Sequence, residues 1–106
     1  MKENQILVII KEPGKGAYVE PLFDNTLEAF QTAVGGYIET ATILEDVCLI
    51  VNEEGILLGL PYNTTIRGQP LLGTVIAVGV KGEDFVSLKS SHIPRLLQLI
   101  NGGEYE

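Results

Sequence analysis

The stretch Asp24-Asn25-Thr26-Leu27-Glu28-Ala29-Phe30-Gln31-Thr32-Ala33-Val34-Gly35-Gly36-Tyr37-Ile38-Glu39-Thr40 holds a complete helix and the start of the strand after it. Asp24, Asn25 or Thr26 can each offer a side-chain oxygen to the first free N–H groups, and Glu28 stands in the first turn, where the helix dipole favours negative charge. Leu27, Phe30, Ala33 and Val34 recur at helical spacing, so one face is apolar and must be covered. Gly35-Gly36 stops the helix with a left-handed cap, and Tyr37-Ile38-Glu39-Thr40 begins a β-alternation.

Downstream, strand residues Tyr37–Leu44 place Tyr37, Glu39 and Ala41 on one face and Ile38, Thr40 and Thr42 on the other. Glu45-Asp46 separates them from the apolar run Val47–Val51. Asn52-Glu53-Glu54-Gly55 then predicts a hairpin turn into a strand over Ile56–Leu60. Pro61–Gly73 has no clear period and is expected to be an irregular loop, the kind that often carries function. A strand over Thr74–Val80, a turn at Lys81–Asp84 and a short return strand over Phe85–Leu88 follow. Ser90 or Ser91 is expected to cap a last helix with Pro94 in its first turn and Ile93, Leu96, Leu97 and Ile100 as its apolar face. Asn101-Gly102-Gly103 ends it, and Glu104–Glu106 reads as a frayed tail.

Upstream, Gln5–Ile10 reads as a strand whose Ile6–Ile10 is a continuous apolar run, as in a central strand covered on both faces. Glu12-Pro13-Gly14-Lys15-Gly16 superficially resembles a phosphate loop, but it lacks the spacing and the following helix, so a tight turn is expected. Ala17–Phe23 returns as a strand. Pro21 cannot donate a ladder hydrogen bond, so that strand is expected to lie at an edge or to end there. With strands outnumbering helices and hairpin turns dominating, the expected fold is α+β: a mainly antiparallel twisted β-sheet with two α-helices packed on it. At 106 residues the chain is expected to be a single domain. The apolar strands suggest that some sheet surface is buried between subunits, with a two-fold dimer as the simplest homo-oligomer.

Composition bounds the function. Seven Lys and Arg against fourteen Asp and Glu give a formal charge of -7, which argues against direct nucleic-acid binding, since that relies on neutralising phosphates. No apolar run is long enough to span a bilayer and no signal-peptide pattern is present, so the expected location is cytoplasmic, without membrane contact. Walker A, nucleophile-elbow, His-Glu-x-x-His and Cys-x-x-Cys motifs are absent. Cys48 lies within an apolar run and His92 at the start of the last helix, so a Cys–His nucleophile pair is not expected. The acid pairs Glu45-Asp46 and Glu53-Glu54 read as solvated turns rather than a metal site, and no cofactor is expected. No enzyme activity is expected. The segment Pro61–Gly73 concentrates donors: Asn63, Thr64, Thr65 and Gln69 beside Tyr62, with Arg67 the guanidinium best placed for bidentate recognition of a phosphate or carboxylate.

Asn25-Thr26-Leu27-Glu28-Ala29, Val34-Gly35-Gly36-Tyr37-Ile38-Glu39, Asn52-Glu53-Glu54-Gly55, Leu60-Pro61-x-Asn63 and Gly73-Thr74 together resemble an uncharacterised domain-of-unknown-function family of small proteins from phages, plasmids and Gram-positive gut bacteria. The resemblance runs from the Glu12–Lys15 turn to the last helix. It brings no established activity, but it implies mobile-element biology, in which small non-catalytic proteins commonly act by occupancy. One expectation is therefore sequestration of a small anionic, nucleotide-derived signalling molecule, counteracting host defence. Tyr37 or Tyr62 would take the base, and Arg67, Lys11 or Lys15 and the Asn63-Thr64-Thr65 segment the phosphates. The alternative is an acidic protein-binding inhibitor, DNA-mimic-like in its charge, of a host nucleic-acid-binding protein.

Overall fold

The computed structural model describes residues 4–102. It is α+β: strands β1 (Gln5–Lys11), β2 (Tyr18–Asp24), β3 (Ile38–Leu44), β4 (Val47–Asn52), β7 (Val75–Lys81) and β8 (Asp84–Val86) form one antiparallel sheet, and β5 (Tyr62–Ile66) and β6 (Gln69–Leu72) form a two-stranded one. The main path runs β2-β1-β7-β4-β3, with β8 beside β7. Helix α1 (Leu27–Val34) follows β2, the four-residue α2 (Gly55–Leu58) follows β4, and α3 (Ile93–Ile100) ends the described chain after a 3-10 turn at Ser90–His92.

Helix α1 forms where its punctuation predicts. Of the three capping candidates it is Thr26 that acts, its Oγ1 accepting from the Ala29 N–H at 3.1 Å, and Gly35 closes the helix at φ 82°. Phe30 and Val34 face the sheet, and Phe30 lies between the rings of Phe23 and Phe85, with centroids 4.9 and 5.4 Å away. This face is a core of Ile6, Val8, Ile10, Cys48, Ile50, Ile76 and Val78 beneath α1.

The opposite face holds a second core, in which Ile9, Leu49, Val75 and Ala77 are covered by Leu96 and Ile100 of α3 and by Ile66 of the β5–β6 hairpin. Burying Leu96 and Ile100 contributes about 1.5–3 kcal/mol each. The continuous apolar runs of β1 and β4 are thus explained inside one chain, with a layer on each side. The reason given in the sequence for a second subunit, surplus apolar sheet, falls away.

Four expectations are corrected. Ile56–Leu60 is not a strand: Gly55–Leu58 is helical and Gly59, at φ 65°, ends it. Pro61–Gly73 is not irregular, because Tyr62–Ile66 and Gln69–Leu72 pair through the two-residue turn Arg67-Gly68, whose φ angles of 53° and 79° are those of a tight hairpin. Neither Ser90 nor Ser91 caps α3 with its side chain; both lie in the 3-10 turn, although Pro94 does occupy the first turn. The return strand is shorter, Asp84–Val86, because at Ser87 the chain leaves β7 and ties to β1 instead, the Leu7 N–H donating to Ser87 Oγ and the Leu88 N–H to the Leu7 carbonyl. Residues 103–106, including the expected tail, lie outside the described residues.

Candidate interaction site

Asn52 starts the local construction. It is buried at the end of β4, where its Nδ2 donates to the Val34 carbonyl at 3.0 Å and its Oδ1 accepts from the Glu54 N–H at 2.7 Å. One side chain therefore satisfies a carbonyl at the C-terminus of α1 and fixes the start of α2. A second link, from the Glu53 N–H to the Tyr37 carbonyl at 2.8 Å, holds the same turn to the root of β3. Gly55 is buried against β6: a Cβ there would lie 3.4 Å from Leu72 Cβ.

Between Gly55 and Gly59 the chain has one helical turn, too short to have a buried side. Ile56, Leu57 and Leu58 consequently point outward, 85%, 83% and 55% exposed. Single exposed apolar residues are ordinary, but three in sequence on a hydrogen-bonded turn make an apolar knuckle.

Beside the knuckle runs a groove of about 510 Å³, floored by Ala41 and Val51 of the sheet and walled by Ile56 and Leu57 on one side and Leu71 and Leu72 on the other. It lies where β6 packs towards β4, with Glu39 and Ala41 of β3 lining the same space. Glu39, Glu53 and Glu54 stand around it, all exposed, and no Lys, Arg or His is among its lining residues. An apolar floor under three carboxylates favours an apolar ligand with positive charge at its edges, and opposes an anion.

The eight residues singled out in the sequence are distributed otherwise. Lys11 and Asn63 do come together, but as an internal brace: Lys11 Nζ donates to Asn63 Oδ1 at 2.8 Å, and Asn63 Nδ2 donates to the carbonyls of Lys11 at 2.8 Å and Gly73 at 2.7 Å. Both residues are buried, and the brace ties β1 to β5 and to the entry of β7. Thr64 is buried too, while Thr65 Oγ1 lies 2.7 Å from the hydroxyl of the exposed Tyr62. Arg67 is exposed at the hairpin tip. Lys15 lies in the β1–β2 turn beside Glu12, at 3.3 Å in an exposed pair of little energetic weight. Tyr37 is exposed before β3. Among the described residues no hydrogen bond, ion pair or ring contact joins Arg67 to Lys11, Lys15 or Tyr37.

Sequence reasoning missed Asn52, Glu39 and the knuckle itself. The available signal was the pair of glycines, Gly55 and Gly59, enclosing three apolar residues without a polar alternate, too short a span for either period to show.

A second cleft, of about 880 Å³, lies between the β3–β4 turn and the start of α3. In it Asp46 Oδ2 is 2.9 Å from Lys89 Nζ, and Asp46 Oδ1 is 3.2 Å from His92 Nε2. The hydrogen bond and charge of Lys89 hold the Asp46 carboxyl below its ordinary range, with the His92 charge adding to this and burial opposing it; Asp46 in turn raises Lys89. This trio links the turn before α3 to the β3–β4 turn. Burial pushes the Cys48 thiol up, away from the reactive thiolate. No group of three or more His, Cys, Asp or Glu able to hold a metal ion occurs among the described residues, and no helix there is long and apolar enough to cross a membrane.

Fold and site together define a small two-faced α+β domain carrying an apolar knuckle and an acid-rimmed groove. Within that class the chain belongs to the family described as Domain of unknown function (DUF3846), whose model matches residues 4–101, nearly the whole described chain. No curated protein and no solved structure matches it.

Proposed function

We propose that this protein acts by occupancy, binding another protein through the Ile56–Leu58 knuckle and the groove beside it, with basic side chains of the partner meeting Glu39, Glu53 and Glu54. The observation that carries this reading is the exposure of three consecutive large apolar side chains on a braced turn. Covering them would supply about 1.5–3 kcal/mol each, enough to offset part of the cost of association, which is about 4–15 kcal/mol. Of the two functions expected from the sequence, the acidic protein-binding inhibitor is therefore favoured over sequestration of a small anion. In a mobile-element setting the partner would be a host protein with a basic, partly apolar surface, such as one that binds nucleic acid.

Crosslinking capture in a bacterial host tests this. Leu57→Asp is expected to lose a protein adduct that Arg67→Ala retains, and the retained adduct is expected to weaken with rising salt. If Arg67→Ala abolished capture and Leu57→Asp left it intact, the knuckle would not be the site.

A further inference from the structure

The two edges of the main sheet are not alike. Strand β2 is blunted: Pro21 has no N–H to offer, the Glu20 carboxylate accepts from the Leu22 N–H at 3.0 Å, and the register with β1 shifts between Ile6 and Val8. Natural sheets use such devices to keep foreign strands off an edge. Strand β3 has none of them over residues 38–42: no proline, no lysine and an unbroken register with β4, the shift coming only between Thr42 and Leu44.

Which groups β3 leaves open follows from the ladder. The Tyr37 carbonyl accepts from the Glu53 N–H, and in an antiparallel pair that bonding repeats every second residue. Glu39↔Val51 and Ala41↔Leu49 therefore bond inward, and the N–H and C=O groups of Ile38, Thr40 and Thr42 face outward over about 14 Å. On this strand Glu39 and Ala41 point into the acid-rimmed groove. An added strand would thus place alternate side chains in the groove while its backbone continued the sheet.

We infer that the partner segment is an extended strand that pairs with β3 at Ile38, Thr40 and Thr42, setting apolar side chains over Ala41 and Val51 and basic ones beside Glu39 and Glu53. The inference rests on the protein-binding reading and specifies its form. Charge selects the occupant. A second copy of this chain brings its own Glu39 and a net charge of -7 to the same edge, whereas a basic strand is attracted to it.

The test uses a displayed library of random nonapeptides, selected on the wild-type protein and counter-selected on Leu57→Asp. The enriched peptides are expected to carry an apolar and a basic residue two positions apart, so that both face the groove. With a selected nonapeptide at saturation, amide hydrogen exchange at Thr40 and Thr42 is expected to slow at least tenfold. Thr40→Pro removes an outward N–H without touching the ladder to β4, so it should weaken the peptide about 5- to 10-fold, and Thr40→Val should leave it within about twofold. Binding with unchanged exchange at Thr40 and Thr42 would overturn the strand inference and leave the protein-binding reading standing. Failure to enrich any peptide over the counter-selection would count against both. Protection of Thr40 and Thr42 that rises with protein concentration and needs no peptide would mean that a second copy takes the edge, and would overturn the inference as well.

Discussion

Replacing Asn52 by alanine removes the one side chain on which the knuckle's placement depends. The substitution deletes two hydrogen bonds, of 3.0 Å to the Val34 carbonyl and 2.7 Å from the Glu54 N–H. Each is worth about 1 kcal/mol net, and leaving their backbone partners poorly satisfied adds to the loss, so a destabilisation of about 2–4 kcal/mol is expected. For a domain of this size that corresponds to a fall in Tm of about 10–20 °C. Asn52→Asp sharpens the argument, because it keeps the acceptor for Glu54 and replaces the donor by an oxygen facing the Val34 carbonyl. Only a protonated carboxyl can donate there, so folding raises the pKa of this aspartate. Its penalty is then complete at neutral pH, shrinks as the pH falls through the raised folded-state value, and is gone below the ordinary carboxylate value of about 4. Urea denaturation of both variants across pH 3–7 measures these effects. A loss below about 1 kcal/mol for Asn52→Ala, or a pH-independent penalty for Asn52→Asp, would refute the reasoning.

Arg67 holds a positive φ of 53° without being glycine, and Asn tolerates that conformation better. Arg67→Asn is expected to stabilise the fold by about 0.5–1 kcal/mol in thermal denaturation and to leave partner capture unchanged. Leu57→Asp, at an exposed position, should shift stability by less than about 0.5 kcal/mol while abolishing capture. The Asp46 carboxyl is held below its ordinary value of 3.8, chiefly by Lys89. Its stabilising contribution is therefore complete above that value and is lost as the pH falls through the lower, folded-state value. In urea titrations wild type should exceed Asp46→Asn at pH 6, and the gap should close between about pH 4 and pH 2.

What the sequence disclosed, and what it hid, follows from the length over which each signal accumulates. The α1 region was legible because cap, apolar period and double glycine agree across more than two turns. Pro21 left two readings of β2, an edge strand or an end at that residue, and the strand runs through it at the sheet edge. Gly55–Leu58 could not be read correctly, since one turn of helix and a short strand look the same when every residue is apolar. The β5–β6 hairpin was hidden by its turn: Arg67-Gly68 does the work usually given to Asn-Gly, so the β-branched Thr64-Thr65-Ile66 was not recognised as a strand. Among the expected site residues, Lys11 and Asn63 have the right chemistry for an anion and the wrong surroundings. Their donors are turned inward on each other and on backbone carbonyls, which no spacing in the chain reveals.

Native mass spectrometry of the protein recovered from bacterial cells that express it tests the central claim most directly. The account predicts one chain retained with a different, basic polypeptide, and loss of that partner on Leu57→Asp. A small nucleotide-like anion carried by a homo-oligomer, unaffected by Leu57→Asp and lost on Arg67→Ala, would contradict it.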